Sequence, residues 1–399
     1  MSSLFENFLS TPEVSEALGD RAVIEAMLRF EAALARAQAR AGLLPQAAAM
    51  SIIGTCKVEL FDVPKLVRES ARTRNLATPL VASLRETVAL FNPEAVSFVH
   101  FGCTDQELVD TALALVMRDV LKRIAADLGK TIEVLLALAA EHESDAMLAR
   151  SPLQAAAVTS FGLTCSQWAT PLVRSQQRLQ VATAHALRLR LGTTVTSLTE
   201  MQGQSPLVMT LMADDLQLKA PVFAGNTSHD ETVALACELG LLVGSLGRIA
   251  FEIGHMTQFE TGELTQVNTS LAAVPGAKPL PPVATSLLCM VAQVAAQRVP
   301  QQVAVLLATL SQEQGEMPGH WQTQLAQWPA LLSASQSIAH AVVQLVTDLH
   351  AETQRMRSNL EAVRSRLSAK EVKARFSTEL VHQATELTRI QVKVLRHPL

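Results

Sequence analysis

The sequence predicts an all-α protein, a bundle of long helices, and three observations carry that prediction. Apolar residues recur at three- and four-residue steps over stretches much longer than a strand. Several stretches close on helix stop signals, a glycine with proline or polar residues beyond. Strand-like alternation is sparse.

Residues 25–41 form the first long amphipathic segment, closed by Gly42 with Pro45 beyond. From Val109, the apolar positions Leu113, Val116, Val120, Ile124 and Leu128 keep helical spacing. Residues 163–191 form the next helix and end near Gly192. Residues 231–257 follow, with Gly240, Gly244, Ser245 and Gly247 small enough for close helix packing. Residues 283–310 and 331–360 complete the series. Helices of about 25 to 30 residues span roughly 40 Å at about 1.5 Å per residue. Several are apolar around much of their surface, so a homo-oligomer with a shared central bundle is expected. The expected domains are an N-terminal helical domain over 1–104, a central long-helix bundle over 105–350 forming the oligomer core, and a shortened C-terminal helical segment over 351–399.

With 399 residues, 49% of them apolar and 18% charged, the chain can bury a large core. A net charge of −4 gives no electrostatic case for nucleic acid or an anionic membrane surface. The nearly uncharged run 283–297 carries Thr, Ser and Gln and falls short of a membrane span. No secretory signal is expected ahead of Phe5. Five widely spaced cysteines, with no Cys-x-x-Cys pair or Cys/His metal spacing, read as small buried hydrophobes in a reducing cytoplasm. No metal or other cofactor is expected. The chain has no Tyr, which removes a Tyr acid or base from consideration.

Residues 100–106, His-Phe-Gly-Cys-Thr-Asp-Gln, form a short polar loop that runs into an apolar-periodic helix. This segment resembles the His-x-Gly-x-Thr-Ser-Gln-Asp loop of the aspartase/fumarase superfamily, which there opens a core helix. The members it looks most like are the 3-carboxy-cis,cis-muconate cycloisomerases. Similar segments follow in the family's order: 27–38 with 41–45, 56–62, 75–81, 150–155 with Phe161-Gly-Leu163 and Trp168, 238–248, and 260–263. Arg298-Val-Pro300, Trp321, Trp328 and 355–360 continue it, so the resemblance covers about residues 4–365.

The resemblance implies a tetramer with composite active sites from three subunits. It also implies addition or elimination across a carbon–carbon bond next to a carboxylate. A base removes a proton, an oxyanion-rich carbanion forms and a leaving group departs; the cycloisomerases run the addition internally and close a lactone. Such chemistry needs cations and donors for carboxylates and one group that moves a proton.

The chain departs from the family at several of these positions. Asp105 stands where the loop has Ser. The Gly-Ser-Ser-x-Met-Pro-His-Lys-Arg-Asn-Pro signature falls within residues 268–283. An ungapped count back from Arg298 places Gly276 on its Gly, Leu280-Pro281 on Met-Pro, and Ala277 and Lys278 on the two serines. Gapped alignments through Pro275 or Ser270 also fail to restore the Ser and the Lys/Asn clamp together. Gln154 keeps its local motif, and Ala155 follows where many relatives have His. A His-Thr-x-Arg-Asp segment looks like Asn226-Thr-Ser-His-Asp230, with His229 in place of Arg. The run Pro275 to Pro282 makes a stiff lid, which argues against the parental reaction.

Each candidate residue has a structural and a functional reading. Asp105 is a helix N-cap or loop carboxylate, or a new base or cation-binding group in the old pocket. His229 is a structural imidazole or a pocket acid or base. Thr104 and Gln106 donate to a substrate or satisfy the loop backbone. Gln154 is a substrate-binding amide, and Lys278 a substrate clamp or a solvated side chain. His100 reads as a structural loop histidine. An anionic Asp105 would repel a substrate carboxylate about 4 Å away by roughly 4 kcal/mol at an effective dielectric constant near 20. A tricarboxylate bound as in the relatives is therefore not expected.

Three functions fit. One is a divergent cycloisomerase or lyase acting on a small, less anionic unsaturated acid. Another is a non-catalytic homologue that binds a ligand or partner through the old cleft. The third is a subunit completing composite sites in a hetero-oligomer with an intact paralogue. The expected assembly is a cytoplasmic homotetramer, with no nucleic-acid or membrane partner.

Overall fold

In the computed structural model, residues 8–151, 154–192, 199–220, 229–266, 283–311 and 319–396 are described. The fold is an all-α long-helix bundle, as the periodicity predicts. Its five longest helices are Asp105–Glu141, Phe161–Ala186, Asp230–Met256, Val283–Ala308 and His320–Thr347. The chain divides into two compact units, Met1–Lys122 with Gln180–Ala236 and Gln302–Ser333, and Arg123–Leu179 with Cys237–Gln301 and Ala334–Leu399. Each long helix contributes one stretch to each unit.

In the first unit, the Asp20–Arg40 helix buries Ile24, Met27, Leu28, Phe30 and Leu34 on its inward face. It packs against the Gln46–Thr55 and Ser205–Leu216 helices. The Val63–Thr73 helix starts on Asp62, whose carboxylate accepts from Lys65 N at 2.9 Å, and stops at Arg74 in the left-handed region. In the second unit, the hairpin Ala146–Arg150 and Ala155–Ser160 pairs antiparallel, with its register shifting between Ala149 and Arg150. Leu148 and Val158 of the hairpin pack on Leu360 and Phe376.

Two expected helix ends are corrected. The stretch expected over 163–191 stops at Ala186, because the backbone turns to pair with another segment: Leu189 N donates to Lys219 O at 2.9 Å. The helix expected over 331–360 starts earlier, at His320, and runs through Pro329 to Thr347. Residues Leu349–Ala351 then form a strand against Leu264–Gln266 before a new helix, Thr353–Arg364. The close packing expected of Gly247 is present, since an added Cβ would lie 2.6 Å from Ala296 Cβ. At Gly244 the same position is open within this chain.

The Asp230–Met256 and His320–Thr347 helices are long and apolar enough to cross a membrane, yet 56% and 67% of their most apolar windows are buried in the fold. Mostly buried spans of this kind are also what core helices look like.

Candidate functional site

The loop ahead of the Asp105–Glu141 helix is held by groups from two other helices of the first unit, Asp20–Arg40 and Ala77–Phe91, and by Asn75 just ahead of the second. Thr104 takes the capping position. Its Oγ1 accepts from Glu107 N at 3.2 Å, and Glu107 Oε2 accepts from Thr104 N at 2.8 Å. This reciprocal capping box sets the direction in which the helix leaves the loop. Asp105 is therefore the first helical residue and not the cap, and its carboxylate is left to other partners. Gln38 Nε2 donates to Phe101 O at 2.7 Å, and Arg85 donates to Val99 O at 3.2 Å. His100 and Gly102 both lie in the left-handed region, with φ of 62° and 69°. Glycine adopts this freely, whereas a histidine there stores strain.

Two carboxylates flank the His100 ring. Glu31 Oε1 lies 2.5 Å from Nδ1, and Asp105 Oδ1 lies 3.4 Å from Nε2. Burial opposes a charge on the ring. The Glu31 charge and the contacts with Asp105, Cys103 and Glu31 outweigh it, and the imidazole is held protonated far above the usual histidine range. Asp105 accepts from Asn75 Nδ2 at 2.6 Å and Thr78 Oγ1 at 2.9 Å. The contact with the His100 ring holds its carboxyl down at about 2, with Thr78 and Asn75 adding to the effect against partial burial. Asn75 Oδ1 in turn accepts from Ala77 N and Thr78 N at 2.8 and 3.0 Å, which ties the first turn of the Ala77–Phe91 helix to this carboxylate. The result is a fixed anion at a helix N-terminus, where the backbone dipole also favours it.

Glu31, His100 and Cys103 bring one oxygen, one nitrogen and one sulfur within 4.8 Å of one another. These are donor types that zinc accepts. A ring protonated toward Glu31 has no lone pair for a metal, and burial pushes the Cys103 thiol up to about 12. Cys289 is likewise pushed up by burial, to about 11, and Cys165 is raised by the same cause. These thiols are not poised as nucleophiles.

His229 occupies a different place in the same unit. It borders a cavity of about 30 Å³, room for a single water, beside Asp110, Arg188, Arg190 and Trp321. Trp321 Nε1 donates to Asp110 Oδ1 at 2.7 Å across that wall. Burial, with the Arg190 charge adding, pushes the His229 imidazole down to about 4, so it is neutral at pH 7. Asp105 is not on the wall of this cavity. The structure thus gathers Thr104, Asp105 and Gln106 at one helix start and sets His229 apart. Gln154 belongs to the second unit, exposed at the hairpin turn, where its backbone carbonyl accepts from Ser151 N at 2.8 Å. Lys278 and the rest of 267–282 lie outside the described residues.

In the second unit, fully buried Glu263 accepts from both Arg150 terminal nitrogens, at 2.8 and 2.6 Å, and from Asn359 Nδ2 at 2.9 Å. Arg355 donates to the carbonyls of Glu260 and Thr261 beside it. Three separate segments singled out in the sequence meet in this network. Glu31 was not singled out there. Its signal was a lone carboxylate on the apolar face of the 25–41 segment.

Comparison with known proteins shows the family. The lyase family profile matches residues 8–273. The chain is 32% identical over 372 residues to a 3-carboxy-cis,cis-muconate cycloisomerase of Bradyrhizobium diazoefficiens, covering 93% of this chain and 82% of that one. It is 33% identical to the enzyme of the same name from Pseudomonas putida, covering 93% and 87%. The crystal structure of 3-carboxy-cis,cis-muconate lactonizing enzyme from Pseudomonas putida superposes with a TM-score of 0.82 at 29% identity, over 99% of this chain and 90% of that one.

Proposed function

We propose, for a chain that belongs to the lyase family within the aspartase/fumarase superfamily, an addition or elimination reaction on a small unsaturated acid, with Asp105 moving the proton. The observation that carries this reading is the Asp105 clamp: a carboxylate fixed by His100, Asn75 and Thr78 at the start of the core helix. A carboxylate at about 2 is a weak base in the free protein. A substrate closing over it would complete its burial and bring a second negative charge, and both raise its proton affinity. Thr104 and Gln106 stand beside it as donors for the substrate. His229, neutral and set in its own small cavity, fits a supporting role better than that of proton carrier.

The anionic Asp105 favours an acid with fewer carboxylates than 3-carboxy-cis,cis-muconate. The same reading has the protein as a cytoplasmic homotetramer, in which partner subunits cover Leu241, Phe251, Leu287 and Met290, now exposed on long helices.

The test is ultraviolet-monitored turnover of 3-carboxy-cis,cis-muconate and of less carboxylated muconates, with an intact cycloisomerase as control. Turnover of a less carboxylated acid that Asp105→Asn abolishes supports the reading. No turnover of any of them by the folded oligomer leaves the site to ligand binding alone.

A further inference from the structure

A cavity of about 530 Å³ opens in the first unit between the Asp20–Arg40 and Val63–Thr73 helices and the ends of two long helices. That volume falls in the range of small-ligand sites. Its body is apolar, walled by Val23, Leu66, Leu80, Leu113 and Leu325. Its polar groups include Arg74 and Asn75, adjacent in sequence. Arg74, an exposed residue on the cavity wall, makes no ion pair or hydrogen bond among the described residues. It is also held at φ 57°, the conformation at which a helix usually ends on glycine. A non-glycine residue kept there is strained, and strain of this kind clusters at ligand clamps. Asp20, the other charged residue on the wall, is the first residue of its helix, where the helix dipole stabilises its charge.

We infer that this cavity binds an apolar monocarboxylic acid, its hydrocarbon body against the leucines and its carboxylate on the Arg74 guanidinium. One carboxylate is matched by one unpaired arginine, and the apolar walls would leave a second carboxylate without a partner. Asn75 links the cavity to the reaction site, because the amide on the cavity wall also donates to Asp105 at 2.6 Å. The inference deepens the proposed function by naming the class of acid, and it rests on that reading only for the link to turnover. Binding requires no chemistry.

The probes are trans-cinnamate, an aryl monocarboxylate, and its uncharged amide, titrated calorimetrically into the full chain at pH 7. Cinnamate is expected to bind about tenfold or more tighter than cinnamamide. Arg74→Gln is expected to bring cinnamate down to the level of the amide. Ala71→Trp, which fills the cavity from an exposed wall position, is expected to weaken both about tenfold or more. Val67→Trp serves the same purpose should Ala71→Trp fail to fold. The inference is overturned if the wild type binds no cinnamate, if Arg74→Gln keeps the preference for the acid, or if neither tryptophan weakens binding. A protein that binds cinnamate in this pattern but turns over neither muconates nor unsaturated monocarboxylic acids retires the proposed activity and keeps the site.

Discussion

Glu31 and His100 form a buried ion pair, 2.5 Å from carboxylate oxygen to ring nitrogen, with side chains only 1% and 8% exposed. Each charge is tolerable in the core because the other is present. His100→Gln leaves Glu31 as an uncompensated buried carboxylate and is expected to destabilise the fold by about 3 to 5 kcal/mol. Adding Glu31→Gln should restore much of the loss. The pH dependence has a definite sign. A histidine whose pKa is raised on folding contributes its full stability below its unfolded value, about 6.5, and loses it as pH rises toward the folded value. Urea midpoints of wild type and His100→Gln should therefore differ most near pH 6 and converge under alkaline conditions. A constant gap would show that the ring is not protonated in the core.

Asp105 has the opposite signature. Its pKa is depressed on folding, so its stabilisation is present above about 4 and is lost as pH falls to about 2. The side chain is 35% exposed, and solvent screening reduces its contribution to about 1 kcal/mol. Asp105→Asn should lower the unfolding free energy read from urea denaturation by that amount at pH 7 and match the wild type near pH 2.

The helical periodicity that predicts the bundle follows from side-chain burial, which each stretch of sequence records locally. The helix ends at Ala186 and Thr347 are not recorded there. They are set by backbone pairing of Leu189 with Lys219 and of Leu349–Ala351 with Leu264–Gln266. The capping box of Thr104 and Glu107 has a readable spacing, which also assigns Asp105 to the first turn. The partners of Asp105 are only half legible. Asn75 and Thr78 lie in a segment whose motif marks it, but nothing in the sequence places that segment against residue 105. Gln154 and His229 keep or replace family positions in sequence, and their surroundings come only from the tertiary fold.

Arg150 and Glu263 make the corresponding prediction for the second unit. Glu263→Gln leaves the Arg150 guanidinium without its bidentate partner. The Arg150 side chain left behind is 25% exposed, so water screens its charge, and we expect about 1.5 to 3 kcal/mol of destabilisation by chemical denaturation, the worth of hydrogen bonds to a charged group. Arg150→Met with Glu263→Met removes both charges and should be markedly more stable than either single variant. A double variant no better than the singles would mean that the geometry of Asn359 and the 260–263 turn matters more than the charges.

The closest approach at any glycine among the described residues gives a sharper test. A Cβ on Gly162 would stand 2.5 Å from Ala139 O, 2.6 Å from Glu143 Cα and 2.8 Å from Glu143 N. All three are backbone atoms, so no side chain can swing away. The segment cannot shift easily either, because Gly162 N donates to His142 O and Phe161 N to Asp145 O, both at 2.9 Å. Gly162→Ala must therefore break those bonds or displace the end of the Asp105–Glu141 helix. We expect a loss of about 3 kcal/mol or more, at the upper end for overpacking. Gly54 is the control: it lies in the Gln46–Thr55 helix with nothing within 4 Å of its added Cβ. There alanine should be neutral or stabilise by up to about 1 kcal/mol through helix propensity. Urea denaturation of the two variants should separate them in opposite directions. A Gly162→Ala protein as stable as Gly54→Ala would refute the close approach of the hairpin exit to the helix end.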